Sequence, residues 1–274
     1  QTGVSIIFSY NLCHDFRYGK IIYNVLDQWV GRSLQCYGEY CQGEADLFAQ
    51  LVRPGDTIIE AGANIGSHTV HLAQLAGETG RVYAFEPQRL VFQTLCGNLA
   101  INSLPNVFAS QKALGREKGM VRVPCLSVDE IHNWGGVSLI GSTAGEDVEQ
   151  TTIDDLQLAA CRLIKIDVEG MEPDVIAGTA WTIQRCRPIL YAEADRGEDS
   201  KAALAAQIKA LGYQVYEHQP CLFNPGNYFH RQENLLVLPM TDANGQTILA
   251  SVTSYNLLCL PEGSGLQAAG LKEL

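Results

Sequence analysis

The segment Glu60-Ala61-Gly62-Ala63-Asn64-Ile65-Gly66-Ser67 joins an acidic residue to two closely spaced glycines directly after a short apolar run. Glycines in such a loop let the backbone turn tightly and lie close to a ligand. Glu86 follows twenty residues past Gly66, at the end of the next apolar run. A carboxylate at that spacing can accept hydrogen bonds from both hydroxyls of a ribose. The loop contains no Lys-Ser/Thr pair, so it has nothing with which to cradle a triphosphate. It also departs from the GxGxxG dinucleotide pattern, because Asn64 stands at the second glycine position. Two acids, Glu60 and Glu86, favour a cofactor with a cationic or neutral end. S-adenosylmethionine, with a sulfonium, an ammonium and a ribose diol, fits that requirement.

A second group of acids, Asp167, Glu169 and Glu193, stands at or just beyond the ends of two later apolar runs. Carboxylates gathered at one opening can act as a base, bind a hard divalent cation or orient an ammonium group. Asp167 and Glu193 are the catalytic candidates here, Asp167 also as a contact to the cofactor, and no metal ligand set is assigned. Glu169 either joins them or caps the helix that begins beside Gly170. His218 closes a strand-like run and has a side chain suited to general-base work, the alternative being a structurally satisfied ring. His68 falls in the first turn after the glycine loop, near the expected cofactor. Asn224, Asn227 and Tyr228 can either hydrogen-bond a hydroxylated substrate or cap turns. Lys165 faces away from Ile164 and Ile166 and can pair with one of the acids.

These residues need a scaffold that brings strand ends together. Apolar runs alternate with helical periodicity through the middle of the chain, the pattern of a parallel sheet covered by helices. Strands are expected at residues 56–60, 81–86, 107–113, 163–168 and 189–193, with later ones near 214–216 and 235–238. Between them, Val91, Leu95 and Leu99 repeat at helical spacing, as do Leu204, Ile208 and Leu211. Residues 1–44 read as an N-terminal extension of short strands and turns, at Val4 to Phe8 and Lys20 to Val25. Residues 45–261 read as the main domain and 262–274 as a tail. An insertion at about 115–150 is expected to form a hairpin from Val121 to Val123 and Val137 to Leu139, and to help shape a substrate site.

Composition narrows the function further. Nineteen Lys and Arg against thirty Asp and Glu give a net charge of −11, which opposes binding to phosphate backbones and anionic membranes. No apolar run is long enough to span a bilayer. Nine cysteines are scattered without a CxxC pair, which argues against a zinc ribbon and fits free thiols in a reducing compartment. With no basic stretch followed by an apolar leader, the expected location is cytoplasmic.

The segments Ile59 to Gly66, Phe85-Glu86-Pro87 and Ile164-Lys165-Ile166-Asp167-Val168-Glu169-Gly170-Met171-Glu172 resemble those of the FkbM-type S-adenosylmethionine-dependent methyltransferases. Similar stretches flank them, from Gly31-Arg32-Ser33-Leu34 and Tyr37-Gly38-Glu39-Tyr40 to Leu222–Tyr228 and Ser254–Pro261, so that the likeness runs from about Asp27 to Pro261. The resemblance implies an α/β class I methyltransferase (Rossmann-like) sheet of seven mostly parallel strands, the last one antiparallel. It implies that Gly62, Asn64 and Gly66 line the methionine portion, with Glu60 beside them. Glu86 would hold the ribose, Ala113 would meet the adenine edge, and Tyr37 to Tyr40 would close over the carboxyl end of the cofactor. It further implies O-methylation of a hydroxyl on a small molecule, sugar, glycan or secondary metabolite. The alternatives are an NAD-dependent oxidoreductase and a non-catalytic cofactor-binding protein of the same fold.

Overall fold

The computed structural model describes residues 10–241 and 245–274. Its N-terminal part is a hairpin of β1 (Asn11–Phe16) and β2 (Gly19–Asn24), followed by helices α1 (Val30–Tyr37) and α2 (Gln42–Leu51). Strand and helix then alternate: β3 (Thr57–Ala61), α3 (Thr69–Ala76), β4 (Arg81–Phe85), α4 (Arg89–Ile101) and β5 (Val107–Ser110). An insertion holds β6 (Ala113–Leu114), β7 (Gly119–Val123) and β8 (Glu146–Thr151). The series resumes with β9 (Leu163–Ile166), α5 (Glu172–Ala177), α6 (Ala180–Cys186), β10 (Ile189–Glu193), α7 (Glu198–Lys209) and β11 (Tyr213–His218). It ends with β12 (Val237–Thr241), β13 (Thr247–Ser251), β14 (Asn256–Pro261) and β15 (Lys272–Glu273).

Eight strands form the main sheet in the order β15-β11-β14-β10-β9-β3-β4-β5. β5, β4, β3, β9 and β10 run parallel, and β14 enters antiparallel between β10 and β11. This is the class I methyltransferase arrangement, with β15 added at one edge. β9 is buried at all four of its residues, as a parallel strand covered on both faces must be. One face packs Ile59, Ile164, Ile166 and Leu190 with Val175, Ile183 and Leu204 of α5, α6 and α7. The other packs Ile58, Leu163 and Tyr191 with Phe48 of α2 and Leu72 of α3.

Several sequence expectations change in detail. The antiparallel strand lies at Asn256–Pro261 rather than near 235–238, where Val237–Thr241 instead pairs with Thr247–Ser251 in a separate hairpin. The 235–238 run was misleading because apolar content alone does not say which sheet a strand joins. The third strand stops at Ser110, and Ala113 belongs to a small sheet ordered β6-β8-β7. The insertion is not a hairpin of 121–123 with 137–139, since Val121 pairs with Val148. Residues before 45 hold α1 and the first turn of α2 besides the hairpin; α1 is hidden by its weakly apolar VGRSLQCY sequence. The expected strand at Val4 to Phe8 lies outside the described residues. Among the described residues, no helix is long and apolar enough to cross a membrane.

Candidate active site

The glycine loop leaves the carboxyl end of β3 and is fixed by the strands on either side. The N–H groups of Gly62 and Ala63 both donate to the Phe85 carbonyl, at 3.0 and 2.9 Å. Gly62 has φ +79°, and a Cβ there would fall 1.8 Å from the Asp167 carbonyl oxygen. Only glycine lets these two strand ends pass so closely. Gly66 serves a different purpose: a Cβ at its φ of +88° would meet Leu95 of α4 at 2.7 Å. Its space is taken by helix packing, and it does not line the cavity described next.

That cavity, of about 370 Å³, opens at the carboxyl ends of β3, β4, β9 and β10. Glu60, Gly62, Asn64, Glu86, Asp167 and Glu193 all line it, together with Lys165, Glu169 and His68. Trp29 and Tyr40 border it from the N-terminal region, Asn133, Gly135 and Gly136 from the insertion, and Ser254 and Tyr255 from the segment before β14. The insertion therefore does contribute to the walls. Ala113 lies in an adjoining recess of about 40 Å³, lined also by Phe85, Val137, Leu139 and Met171. That recess also touches Gly62, Glu86 and Asp167, so the two spaces meet at the same strand ends.

Glu86 is almost completely buried. Its carboxylate accepts the Asn64 N–H at 3.0 Å and the Gln88 N–H at 2.8 Å. Burial raises its pKa to about 7, against the opposing effect of those two donors. Asn64 contributes its backbone there; its side-chain Oδ1 accepts the Ile65 N–H at 2.6 Å, within a left-handed turn at φ +51°. Glu60 accepts the Thr69 hydroxyl at 2.6 Å, and burial pushes its pKa up while Lys165 and that hydroxyl pull it down. Lys165 is itself buried and holds Asp167 at 2.9 Å. Burial disfavours its ammonium, but Asp167, Glu60 and Glu44 outweigh that and keep it charged.

Glu169 and Glu193 complete the acidic side of the cavity. Glu169 pairs with the Arg196 guanidinium. Neither acid caps α5, which has no side-chain cap; Glu172 instead fixes the turn before it, its Oε1 accepting the N–H groups of Val168 and Gly170 at 3.1 Å each. Burial and the nearby Asp167 push Glu169 up to about 7. Glu193 is pushed well above its ordinary range by burial, then by Asp167 and Glu169. Its Oε2 is shielded from solvent and has no hydrogen-bond partner. One ligand oxygen each from Asp167, Glu169 and Glu193 lies within 4.8 Å of the others.

Other candidates are used differently. His218 does not line the cavity; its Nδ1 lies 2.8 Å from the Tyr191 hydroxyl in a hydrogen bond, and burial lowers its pKa. A strand-end position alone could not reveal that engagement. His68 lies 3.2 Å from Glu44, a residue absent from the sequence reading. Burial opposes the Glu44 charge, yet His68, Lys165 and the Ser254 hydroxyl hold its pKa down to about 2. Its signal was an acid on the same helical stripe as buried Phe48, four residues on. Asn224 and the Tyr228 N–H bind Glu39, at 2.9 Å each, and Asn227 accepts the Arg231 N–H. The 220–228 loop thus holds itself and the Tyr37–Tyr40 stretch, and only Leu222 of it reaches the cavity.

A model of the methyltransferase FkbM domain matches residues 60–215, more than half of the 274-residue chain. The chain belongs to the FkbM methyltransferase family. The matched region spans every acid of the cavity from Glu60 to Glu193, while α1, α2 and β14 lie outside it. No curated protein matches the chain. Among solved structures, methyltransferase FkbM from Methylobacillus flagellatus KT is 19% identical, with 78% of this chain and 50% of that chain covered and a TM-score of 0.45. This chain therefore spans half the length of that protein. A SAM-dependent O-methyltransferase from Thermotoga maritima is 12% identical over 91% of this chain and 77% of that one, with a TM-score of 0.44. A putative rRNA-methylase from Clostridium thermocellum is 14% identical, with 82% and 98% covered and a TM-score of 0.44.

Proposed function

We propose that the chain binds S-adenosylmethionine in the 370 Å³ cavity and methylates a hydroxyl of a small acceptor, such as a sugar, a glycan or a secondary metabolite. The observation that carries this reading is the meeting of two acid sets in one space: Glu60 and Glu86 at the glycine loop, Asp167 and Glu193 across from them. The residues fit the cofactor. Gly62 lets the loop close against the Asp167 backbone at the cavity wall, Glu86 has a carboxylate suited to the ribose hydroxyls, and the Ala113 recess is apolar enough for an adenine edge. Bound there, S-adenosylmethionine supplies an electrophilic methyl group.

The protein's part is alignment and proton handling. In-line displacement requires the acceptor oxygen to be held against the methyl, which rigid strand ends accomplish better than loops. Asp167 is oriented by Lys165. Its remaining oxygen is the group placed to receive the hydroxyl proton. Asn133, Ser254 and Tyr255 supply polar and aromatic contacts for a hydroxylated acceptor. The acidic walls and the net charge of −11 weigh against a phosphodiester acceptor. Nine free cysteines suit a reducing cytoplasm. The family match weighs against the oxidoreductase alternative.

Calorimetric titration with S-adenosylmethionine, its demethylated product and NAD in parallel tests the cofactor. Binding of a sulfur ligand without NAD is expected, followed by methyl transfer to a hydroxylated acceptor in a labelled-methyl screen. Binding of NAD alone would overturn the reading. Cofactor binding with transfer only to nitrogen or nucleic-acid acceptors would overturn its hydroxyl part.

A further inference from the structure

We propose that Asp167, Glu169 and Glu193 form a binding site for one hard divalent cation of the Mg2+ or Mn2+ kind. The three residues come from the ends of adjacent strands β9 and β10, and one ligand oxygen from each lies within 4.8 Å of the others. Oxygens sharing a hard cation at about 2.0–2.6 Å stand about 3–5 Å apart, so the spacing suits one ion.

Glu193 distinguishes this group from an ordinary acidic cluster. Its Oε2 is closed off from solvent and no donor reaches it. The two cationic side chains of the cavity are engaged elsewhere, Lys165 on Asp167 and Arg196 on Glu169. Asp167 uses Oδ2 for its pair and Glu169 uses Oε2, so each keeps a second oxygen for a ligand. A carboxylate oxygen shielded from solvent without a donor is costly, and two further acids facing it add repulsion. A divalent ion removes both penalties at once, because it partners Glu193 and outweighs the negative charge that Lys165 and Arg196 leave uncompensated. The site stands on this geometry alone. Its part in catalysis rests on the methyltransferase reading: an ion there would take the acceptor oxygen as a further ligand and make its hydroxyl easier to deprotonate.

The probe is Mn2+ alone, followed by electron paramagnetic resonance and calorimetry on the full chain. S-adenosylmethionine affinity is measured separately on the same samples in excess chelator. One equivalent of Mn2+ is expected to bind, with competition by Mg2+. Glu193→Gln and Asp167→Asn are each expected to weaken Mn2+ at least tenfold while the circular dichroism spectrum stays native. Glu169→Gln provides a third readout where either of those fails to fold. Absence of Mn2+ binding, or binding unchanged in the variants, would overturn the cation site even with S-adenosylmethionine bound. If Glu193→Gln weakened S-adenosylmethionine and no Mn2+ bound, the carboxylate would face the methionine ammonium and the proposal would fall. Mn2+ binding without S-adenosylmethionine binding would keep the cation site and remove the methyltransferase reading instead.

Discussion

Glu39 is a buried glutamate and Glu193 a partly buried one with a shielded Oε2, and their surroundings differ in kind. Glu39 accepts the Arg17 Nε–H at 2.7 Å, the Asn224 amide at 2.9 Å and the Tyr228 N–H at 2.9 Å. It ties the β1–β2 turn and the 224–228 loop to the end of α1. Glu193 faces Asp167 and Glu169, and its Oε2 has no donor. A carboxylate whose partners are all supplied by the chain stabilises the chain. One left short of partners inside a cavity is arranged for something that arrives from outside.

The largest expected effect follows from the satisfied acid. Glu39→Ala should destabilise the fold by about 2–4 kcal/mol in urea unfolding, since it strands three donors. Glu193→Gln should leave stability within about 1 kcal/mol of the parent or raise it, because it removes repulsion. Equal losses in the two variants would erase the distinction. Glu86 lies between these extremes, with two backbone donors and an open side toward the cavity. Glu86→Ala should weaken S-adenosylmethionine by about 1–3 kcal/mol in calorimetry, and unchanged affinity would remove it from the ribose site.

A pH series sharpens the same point. Glu86 titrates at about 7 in the folded protein, above its unfolded value. Its burial therefore favours folding most below pH 4.5, and that contribution is lost as pH rises through 7. Ribose hydroxyls need the ionised form, so S-adenosylmethionine should bind about tenfold more weakly at pH 6 than at pH 8. Glu86→Gln should flatten this profile; a profile that persists in the variant would assign the titration elsewhere. The smallest effect is expected at His218, whose ring is bonded to Tyr191 outside the cavity. His218→Gln should lower the transfer rate less than about threefold, and a loss above a hundredfold would restore it as a base.

Much of the cavity floor was legible because strand ends announce themselves locally. Ile59 to Gly66 and Ile164 to Glu169 each combine a buried run with acids or glycines at its carboxyl end. Glu44 and Glu39 were harder to see, because their meaning depends on partners some 20 to 210 residues away, among them Arg17, Asn224 and Ser254. That Glu169 joins the other acids and does not cap α5 was also closed to sequence, as was the role of Glu172 in the turn before the helix. Both are glutamates, and only the left-handed turn at Glu169, with φ +56°, decides which side chain meets the backbone N–H groups. His218 looked reactive for a related reason: a ring's availability is set by what it touches.

The position of β14 also has a consequence for how the chain is made. It lies between β10 and β11, which precede it by some forty to seventy residues. A ribosome releasing the chain therefore delivers both neighbours, with Leu190, Tyr191 and Val215, well before the strand that joins them. Until Asn256–Pro261 emerges, two apolar edges stand open to pairing with other chains. Completing the sheet therefore requires an insertion between two strands made earlier, and truncation before residue 256 should yield a product that aggregates during synthesis.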